Sequence, residues 1–217
     1  EFGVRLTAPN PTSGVWSFGE KFEPGMTQVL FDGVTVPYEP IRDRITKFYR
    51  TGSTFTNTIS LSSGGENGRF SLSLANMTNK SIQPNTEFDR QTINLGFNQN
   101  ITKKLVLSGN VAYSHEKNKN PIVIGGQDIS TPVVIYTMSN SMPLDLLYDK
   151  RVDPNGNEYV WSRFRNRTNP YMSVYNRFEN HERDRLFGNI TARYNFNDWL
   201  YLQGRIGQDY YTRNREF

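Results

Sequence analysis

The chain has 217 residues, of which 35% are hydrophobic and 13% aromatic, and its mean hydropathy is -0.66. This composition is polar for a globular enzyme, yet too aromatic and too regularly patterned for a disordered chain. The net charge of +4 is spread along the chain, which argues against a nucleic acid partner. The absence of cysteine excludes disulfides and thiolate metal sites.

No apolar run approaches the ~18 residues of a membrane helix, and no signal peptide opens the chain. A transmembrane β-strand needs only about 10 residues of alternating character, so a membrane protein built from strands stays open. The start at Glu1-Phe2-Gly3 resembles the interior of a protein, so we expect the chain to be part of a longer one.

Residues 1–50 are predicted to form a loop-rich segment, because prolines and glycines recur along them. Near its end, Pro40 precedes Ile41, Ile45, Phe48 and Tyr49 at helical spacing. This spacing predicts a short amphipathic helix with proline near its first turn.

From residue 54 onward apolar residues recur at every second position, which predicts antiparallel strands in hairpin pairs. In the first pair, Phe70, Leu72 and Leu74 share one face of a strand and Ser71 and Ser73 the other. Glycine and asparagine at 64–68 are expected to supply the positive φ angles of a tight hairpin. The predicted strands are 54–63, 69–78, 89–100, 104–115, 185–196 and 199–212.

Short and long connections alternate between these strands. The three hairpin turns are short, whereas about nine residues around position 83 and a large excursion from Glu116 to Asp184 form the other connections. Transmembrane barrels show this asymmetry, with tight turns on the periplasmic side and long loops outside. Aromatic residues near strand ends, such as Tyr194 and Trp199, fit the aromatic girdles of such barrels.

Residues 47–121 resemble the early barrel of the SusC/RagA family of TonB-dependent outer-membrane transporters. The motifs that carry the resemblance are Tyr-Arg-Thr-Gly at 49–52, Ser-Gly-Gly-Glu-Asn-Gly at 63–68, the segment 85–90 and Asn-Ile-Thr-Lys-Lys-Leu at 100–105. Residues 169–212 are similar to the same family, and so is Trp-Ser-Phe-Gly-Glu-Lys-Phe-Glu-Pro at 16–24.

The resemblance implies an all-β fold: about six antiparallel strands of a plugged, roughly 22-stranded transmembrane β-barrel. In this interpretation residues 1–50 lead into the barrel, 51–116 form four strands as two hairpins, 117–184 form a long extracellular loop and 185–217 form a further hairpin. Phe70, Leu72 and Leu74 would then face lipid, and Ser71 and Ser73 the lumen. Six strands cannot close such a barrel, so its remainder would come from the same, longer protein.

The implied function is nutrient import across the bacterial cell outer membrane, most often of oligosaccharides and in some relatives of peptides. The implied partners are a SusD-like surface lipoprotein, outer-membrane lipid, and TonB acting through a region absent from this chain. The alternative is a soluble β-rich glycan-binding module such as a sandwich, for which alternating strands would serve equally well.

No enzyme activity, cofactor or metal is expected, and the substrate-binding residues are unknown from sequence. The two histidines, His115 and His181, each adjoin a glutamate and are interpreted as surface residues. The run Asp153–Glu158 lacks the glycine and carboxylate spacing of a calcium loop and is interpreted as a polar turn. Residues 163–167 alternate arginine with other residues and are interpreted as a solvated loop or strand edge, and Gly64, Gly65 and Gly68 as hairpin glycines.

The excursion over residues 117–183 combines aromatic residues with arginines, the types enriched at protein interfaces. We therefore expect it to contribute to the contact with the lipoprotein, with packing on its own barrel rim as the alternative. The aromatic residues concerned are Tyr136, Tyr148, Tyr159, Trp161, Tyr171 and Tyr175.

Overall fold

The computed structural model describes residues 20–125, 129–162 and 167–217. These residues form two compact units. The helical unit comprises the described parts of residues 1–51, 81–86 and 120–178, and the sheet unit comprises residues 52–80, 87–119 and 179–217.

The four described helices belong to the helical unit, and the six long strands belong to the sheet unit. The helical unit contains a small hairpin and four short helices, which are β1 Thr27–Val29, β2 Thr35–Pro37, α1 Arg44–Phe48, α2 Thr131–Thr137, α3 Leu144–Asp149 and α4 Pro170–Tyr175. The sheet unit contains β3 Ser53–Gly65, β4 Gly68–Lys80, β5 Glu87–Asn100, β6 Leu105–Lys119, β7 Asn180–Asn195 and β8 Tyr201–Glu216. Among the described residues, no helix is both long and apolar enough to cross a membrane.

The sheet unit is a meander in which every strand pairs antiparallel with the next, in the order β3-β4-β5-β6-β7-β8. This confirms the mostly antiparallel β character that the alternating pattern predicts. The strands run further than predicted at the end opposite the hairpin turns. For example, β7 begins at Asn180 rather than at residue 185, because residues 180–184 pair with residues 115–119 of β6. Its first residues are polar or charged, so no apolar alternation marks them.

The register defines two different faces of this sheet. One face, here called the apolar face, carries Phe70, Leu72 and Leu74 of β4 beside Phe97, Leu95 and Ile93 of β5. The other, the polar face, carries Ser60 and Ser62 of β3 opposite Ser73 and Ser71 of β4, together with Thr54, Thr56 and Thr58 of β3. The predicted grouping of side chains by face is thus the grouping that the strand register produces.

The turn between β3 and β4 contains only Glu66 and Asn67, between the paired glycines Gly65 and Gly68. Gly68 has a φ of 138° and is the one residue of 64–68 with a positive φ. A Cβ at Gly68 would overlap the carbonyl oxygen of Asn98. The expectation that several glycines and Asn67 adopt positive φ is therefore wrong, and the requirement for glycine falls on Gly68 alone.

The helical unit has its own apolar core, which joins residues far apart in sequence. Its buried members are Leu30, Phe48, Val134, Ile135, Met138, Met142, Leu144, Leu147, Trp161, Tyr171 and Val174. Phe48 is the buried residue of α1, which begins at Arg44 and not near Pro40, and Ile45 of the same helix is exposed. The predicted helix exists, but it is one turn long and buries one side chain.

Polar contacts tie the separate segments of the helical unit together. The buried Gln28 side chain donates to the Ser141 carbonyl at 2.7 Å and accepts from the Ser141 hydroxyl at 3.0 Å. The Arg44 guanidinium donates to the carbonyls of Met138 and Ser139, just after α2, at 2.6 and 2.8 Å. Cations near a helix C-terminus satisfy carbonyls that have no partner within the helix. These bonds join β1 and α1 to the segment that follows α2.

Candidate functional site

The sheet unit carries an open groove of about 620 Å³ along its polar face. The polar-face residues that line it are Ser62, Gly64, Arg69, Ser71, Gly96, Asn98, Ser108, Asn110, Asn189, Thr191 and Arg205. Ser63, Phe70, Phe97 and Gly109 also line it, although the register places them on the other face. Hydroxyl and amide groups therefore dominate the lining, with an arginine from β4 and another from β8.

A glycine keeps the centre of this groove open. A Cβ at Gly96 would lie 2.8 Å from the Ser71 hydroxyl and 3.2 Å from the Asn110 side-chain oxygen. Any larger side chain there would displace the two groups that line the groove on either side. Glycine within a strand often marks such a close approach.

Arginine and lysine are strictly separated between the two faces of the described strands β3 to β8. Their arginines all lie on the polar face: Arg69, Arg90, Arg183, Arg185, Arg193, Arg205, Arg213 and Arg215. Their lysines, Lys80, Lys117 and Lys119, lie on the apolar face at the end opposite the turns. The carboxylates on the polar face of these strands are Glu116 and Asp209, so this face carries a clear excess of positive charge.

Both carboxylates of the polar face are already paired. Asp209 accepts from the Arg185 guanidinium in a two-bond arrangement, at 2.9 and 2.6 Å. Glu116 pairs with Arg183 at 2.6 Å, and Arg183 lies directly opposite Arg213 in the register. Like charges directly opposite one another are destabilising in a sheet. Within the described ranges, the remaining arginines of this face therefore have no unpaired carboxylate of the same face as a partner.

Arg69 and Arg205 differ in how they are held. The Nε of Arg205 donates to the Thr191 hydroxyl at 3.0 Å, which leaves its two terminal nitrogens for another partner. Within the described part of the chain, the guanidinium of Arg69 has no hydrogen bond or ion pair. Both groups can therefore bind an acceptor without first breaking an ion pair.

A smaller groove of about 380 Å³ lies on the apolar face, toward its charged end, and is lined by Asn76, Asp89, Gln91, His115 and Lys117. Beside it, Asp184 accepts from the Tyr113 hydroxyl at 2.6 Å and contacts the His115 Nδ1 at 2.8 Å. Solvent-exposed pairs of this kind contribute little to stability.

The two predicted surface histidines lie on different faces of the sheet. Each pairs with a carboxylate that is not its neighbour in sequence: His115 with Asp184 across the β6–β7 ladder, and His181 with Glu179 at 2.7 Å. The adjacent Glu116 and Glu182 pair instead with Arg183 and Lys117. Alternation explains this, because neighbours along a strand point to opposite faces. Both histidines are partly buried rather than fully exposed.

The run Asp153–Glu158 folds as a polar turn. A carboxylate oxygen of Asp153 accepts from the backbone N–H groups of Asn155 and Asn157, both at 2.8 Å, and Gly156 has a φ of 83°. Glu158 points elsewhere and accepts from the Asn169 backbone N–H at 2.7 Å. In the described ranges, no group of three or more His, Asp or Glu side chains could hold a metal ion. Of the arginine-rich run 163–167, residues 163–166 lie outside the described residues, as do residues 16–19 of the motif at 16–24.

The aromatic residues of the excursion divide into two groups. Trp161 and Tyr171 are buried in the core of the helical unit, and Tyr159 packs against it. Tyr136, Tyr148 and Tyr175 are exposed, Tyr136 by 79%. Trp161, Tyr171 and Tyr159 are therefore not candidates for an interface. Amino-acid composition alone cannot distinguish them from the exposed tyrosines.

The packed tyrosines have perturbed acidity. Burial, together with a hydrogen bond to Asp32, raises the pKa of Tyr159. Burial is also the main cause that raises the pKa of Tyr171, to about 12, with the nearby charge of Asp145 adding to it. Asp32 in turn pairs with Lys150 at 2.9 Å. These tyrosines stay neutral at physiological pH and serve packing and hydrogen bonding.

Searches of protein-family models and of curated protein sequences find no match to this chain.

Proposed function

We propose that this chain forms part of the wall of a TonB-dependent importer in the bacterial outer membrane, which takes up oligosaccharides or peptides. The observation that carries the proposal is the exposure of the apolar face of the sheet unit. Ile59 and Ile206 on this face are 74% and 81% exposed. Continuous apolar surface of this extent is unusual on a soluble monomer and marks contact with a partner or a membrane.

The apolar face ends abruptly, as a membrane–water boundary would require. One row across all six strands is entirely apolar or aromatic: Ile59, Leu74, Ile93, Tyr113, Leu186 and Tyr210. The next row is entirely polar: Asn57, Asn76, Gln91, His115, Asp184 and Thr212. Tyrosines on the first row fit the aromatic girdle at such a boundary.

The height of the apolar face also supports lipid as its partner. On β7 the apolar face carries Leu186, Gly188, Ile190, Ala192 and Tyr194 without a charge. From Leu186 to Tyr194 an extended strand covers about 27 Å, which at the tilt of about 35–45° found in outer-membrane barrels spans about 20 Å of their roughly 25 Å apolar band. A soluble sandwich would instead cover this face with a second sheet. The other sheet of the described residues, β1-β2, has two strands of three residues each.

Single-cysteine labelling tests this proposal, because the chain has no cysteine of its own. Leu95→Cys and Asn94→Cys place a thiol on the apolar and the polar face at neighbouring, exposed positions of β5. In membranes, a water-soluble maleimide should label Asn94→Cys and leave Leu95→Cys unmodified. Unfolding the protein should make both thiols reactive. Equal labelling of the two thiols in membranes would refute a lipid-facing wall, and monodisperse behaviour without detergent would favour the soluble glycan-binding module.

We also propose that the excursion is extracellular and contacts a SusD-like lipoprotein through its exposed aromatic residues. Tyr148 and Tyr175 form an edge-to-face pair with centroids 5.9 Å apart, and the Arg151 guanidinium lies 4.9 Å from the Tyr148 ring. Clusters of tyrosine and arginine often dominate binding at interfaces.

Point variants test this partner role better than a deletion, which would remove core residues such as Leu147 and Trp161. Tyr136→Ser and Tyr175→Ser in the intact protein should weaken co-purification of the lipoprotein, whereas Tyr38→Ser, at another tyrosine of the same unit, should not. Unchanged co-purification would refute the partner role. Protease cleavage of the excursion from the periplasmic side alone would refute its extracellular location.

A further inference from the structure

We propose that the groove on the polar face binds an anionic oligosaccharide, with Arg69 and Arg205 each holding an acid group of the sugar. This assignment rests on the proposed import function and adds the charge of the solute to it. The ligand class is a glycan that carries carboxylate or sulfate groups on its rings.

The charge of the groove favours an anion. Its lining includes two arginines and no acidic residue. The nearest carboxylate on the same face along β8, Asp209, is bound by Arg185 through two hydrogen bonds and is thereby neutralised. An anion in the groove therefore meets attraction from both ends without repulsion from its lining.

The identity of the cations adds to this argument. Arginine offers a planar group of parallel donors that matches the two oxygens of a carboxylate or the oxygens of a sulfate, whereas lysine is a strongly hydrated point charge. The polar face of the strands uses arginine throughout and places every strand lysine on the opposite face. A surface that needed positive charge for solubility alone would not require this separation.

The spacing of the two arginines fits an extended solute. Arg69 is on β4 and Arg205 on β8, in one register row that runs through Asn98, Ser108 and Thr191. Four strand spacings separate them, about 19 Å between Cα atoms. The amide and hydroxyl groups between them can donate to and accept from the hydroxyls of neutral ring positions. The row thus offers charge at both ends and uncharged hydrogen-bonding groups between.

The lining favours a glycan over the other anionic polymers. Single-stranded nucleic acids bind to grooves with aromatic side chains on which bases stack. Phe70 and Phe97 also line the groove, but the register directs their side chains to the apolar face. Among the groove residues that the register places on the polar face, none is aromatic or aliphatic. An acidic peptide would likewise find no apolar pocket for its other side chains. Hydroxyl-rich rings match serine, threonine and asparagine.

Two forms of one glycan, with a charged carboxylate or a neutral methyl ester on each ring, test the assignment. Binding of oligogalacturonate, which carries a carboxylate on every ring, and of its methyl ester is measured by calorimetry on the purified intact protein. We expect the acid to bind at least on the order of tenfold more tightly than the ester, since hydrogen bonds to charged groups are the stronger kind. Arg69→Gln and Arg205→Gln should each weaken binding of the acid by a similar factor, and Arg69→Lys should restore part of it.

Arg215→Gln is the matched control, because it removes the same charge from the same face outside the groove. It should change the affinity by less than about twofold. Equal affinity for acid and ester, failure of both to bind, or an equal loss in Arg215→Gln would overturn the assignment. Displacement of the acid by poly-glutamate with the same dependence on Arg69 and Arg205 would replace the glycan by an acidic peptide. Because binding is measured without transport, failure here leaves the cysteine-labelling test of the membrane wall unaffected.

Discussion

Arginine at Leu72 should impair assembly of the sheet far more than arginine at Ser73, the next residue on the opposite face. Leu72 lies between Leu61 and Leu95 on the apolar face. The polar row nearest to it on its own strand begins at Asn76, about 14 Å away along the strand. That distance exceeds the reach of an arginine side chain, so the charge would stay in the apolar layer. The cost should lie in the upper part of the roughly 2–4 kcal/mol found at the middle of a membrane.

Folding in membranes provides the assay for this pair. The folded fraction of Leu72→Arg and Ser73→Arg is measured by the difference in gel mobility between unheated and boiled samples. Ser73 is the better control than Ser71, because Ser71 lines the groove. We expect a marked loss of folded protein for Leu72→Arg and little loss for Ser73→Arg. Equal losses, or a larger loss for Ser73→Arg, would refute the assignment of the apolar face to lipid.

Three further predictions concern stability. Leu147→Ala removes a side chain that is 0% exposed and should destabilise the helical unit by about 3 kcal/mol or more, seen as loss of its cooperative unfolding transition in urea. Burial raises the pKa of Glu158 above its ordinary value. Ionisation of Glu158 therefore lowers the stability of the folded state as the pH rises from the ordinary pKa of a glutamate through the raised one. Glu158→Gln should therefore raise the melting temperature at pH 7 and lose that advantage at pH 3, and an advantage that grows at low pH would contradict this sign. Gly188→Ala would push a Cβ into the carbonyl oxygen of Asn110 and should lower the melting temperature of the sheet unit, whereas Gly204→Ala, where a Cβ meets open space, should not.

The six-stranded sheet could be predicted from sequence because its strands are long and their apolar residues alternate. The positive charge of the polar face cannot be seen in the linear sequence, because the basic residues are spread along the chain. Reading β7 and β8 by alternate positions would have revealed it, since Arg183, Arg185 and Arg193 all share one face. The groove itself could not be predicted, because it depends on the order and register of separate strands.

The helices α2 to α4 were missed because they are only six or seven residues long. Helices this short form through burial in a core rather than through local propensity. One local signal did exist at α4, where Asn169 caps the backbone N–H groups of Tyr171 and Met172 and Pro170 follows the cap. Such a signal marks where a helix starts, but it does not show that Tyr171 will be buried.

The core of the helical unit is built from segments interleaved with the strands, and this imposes an order on folding. The bond between Gln28 and Ser141 joins residues 113 positions apart, whereas each strand of the sheet pairs with its immediate successor. Closing long loops costs entropy before any contact compensates for it, and chains rich in distant contacts fold slowly. Hairpins of the sheet can therefore form as soon as their two strands exist. Residues 20–51 cannot complete their core until residues as far as Val174 have joined it, so we expect Leu30 and Phe48 to become buried later than the strands of each hairpin pair.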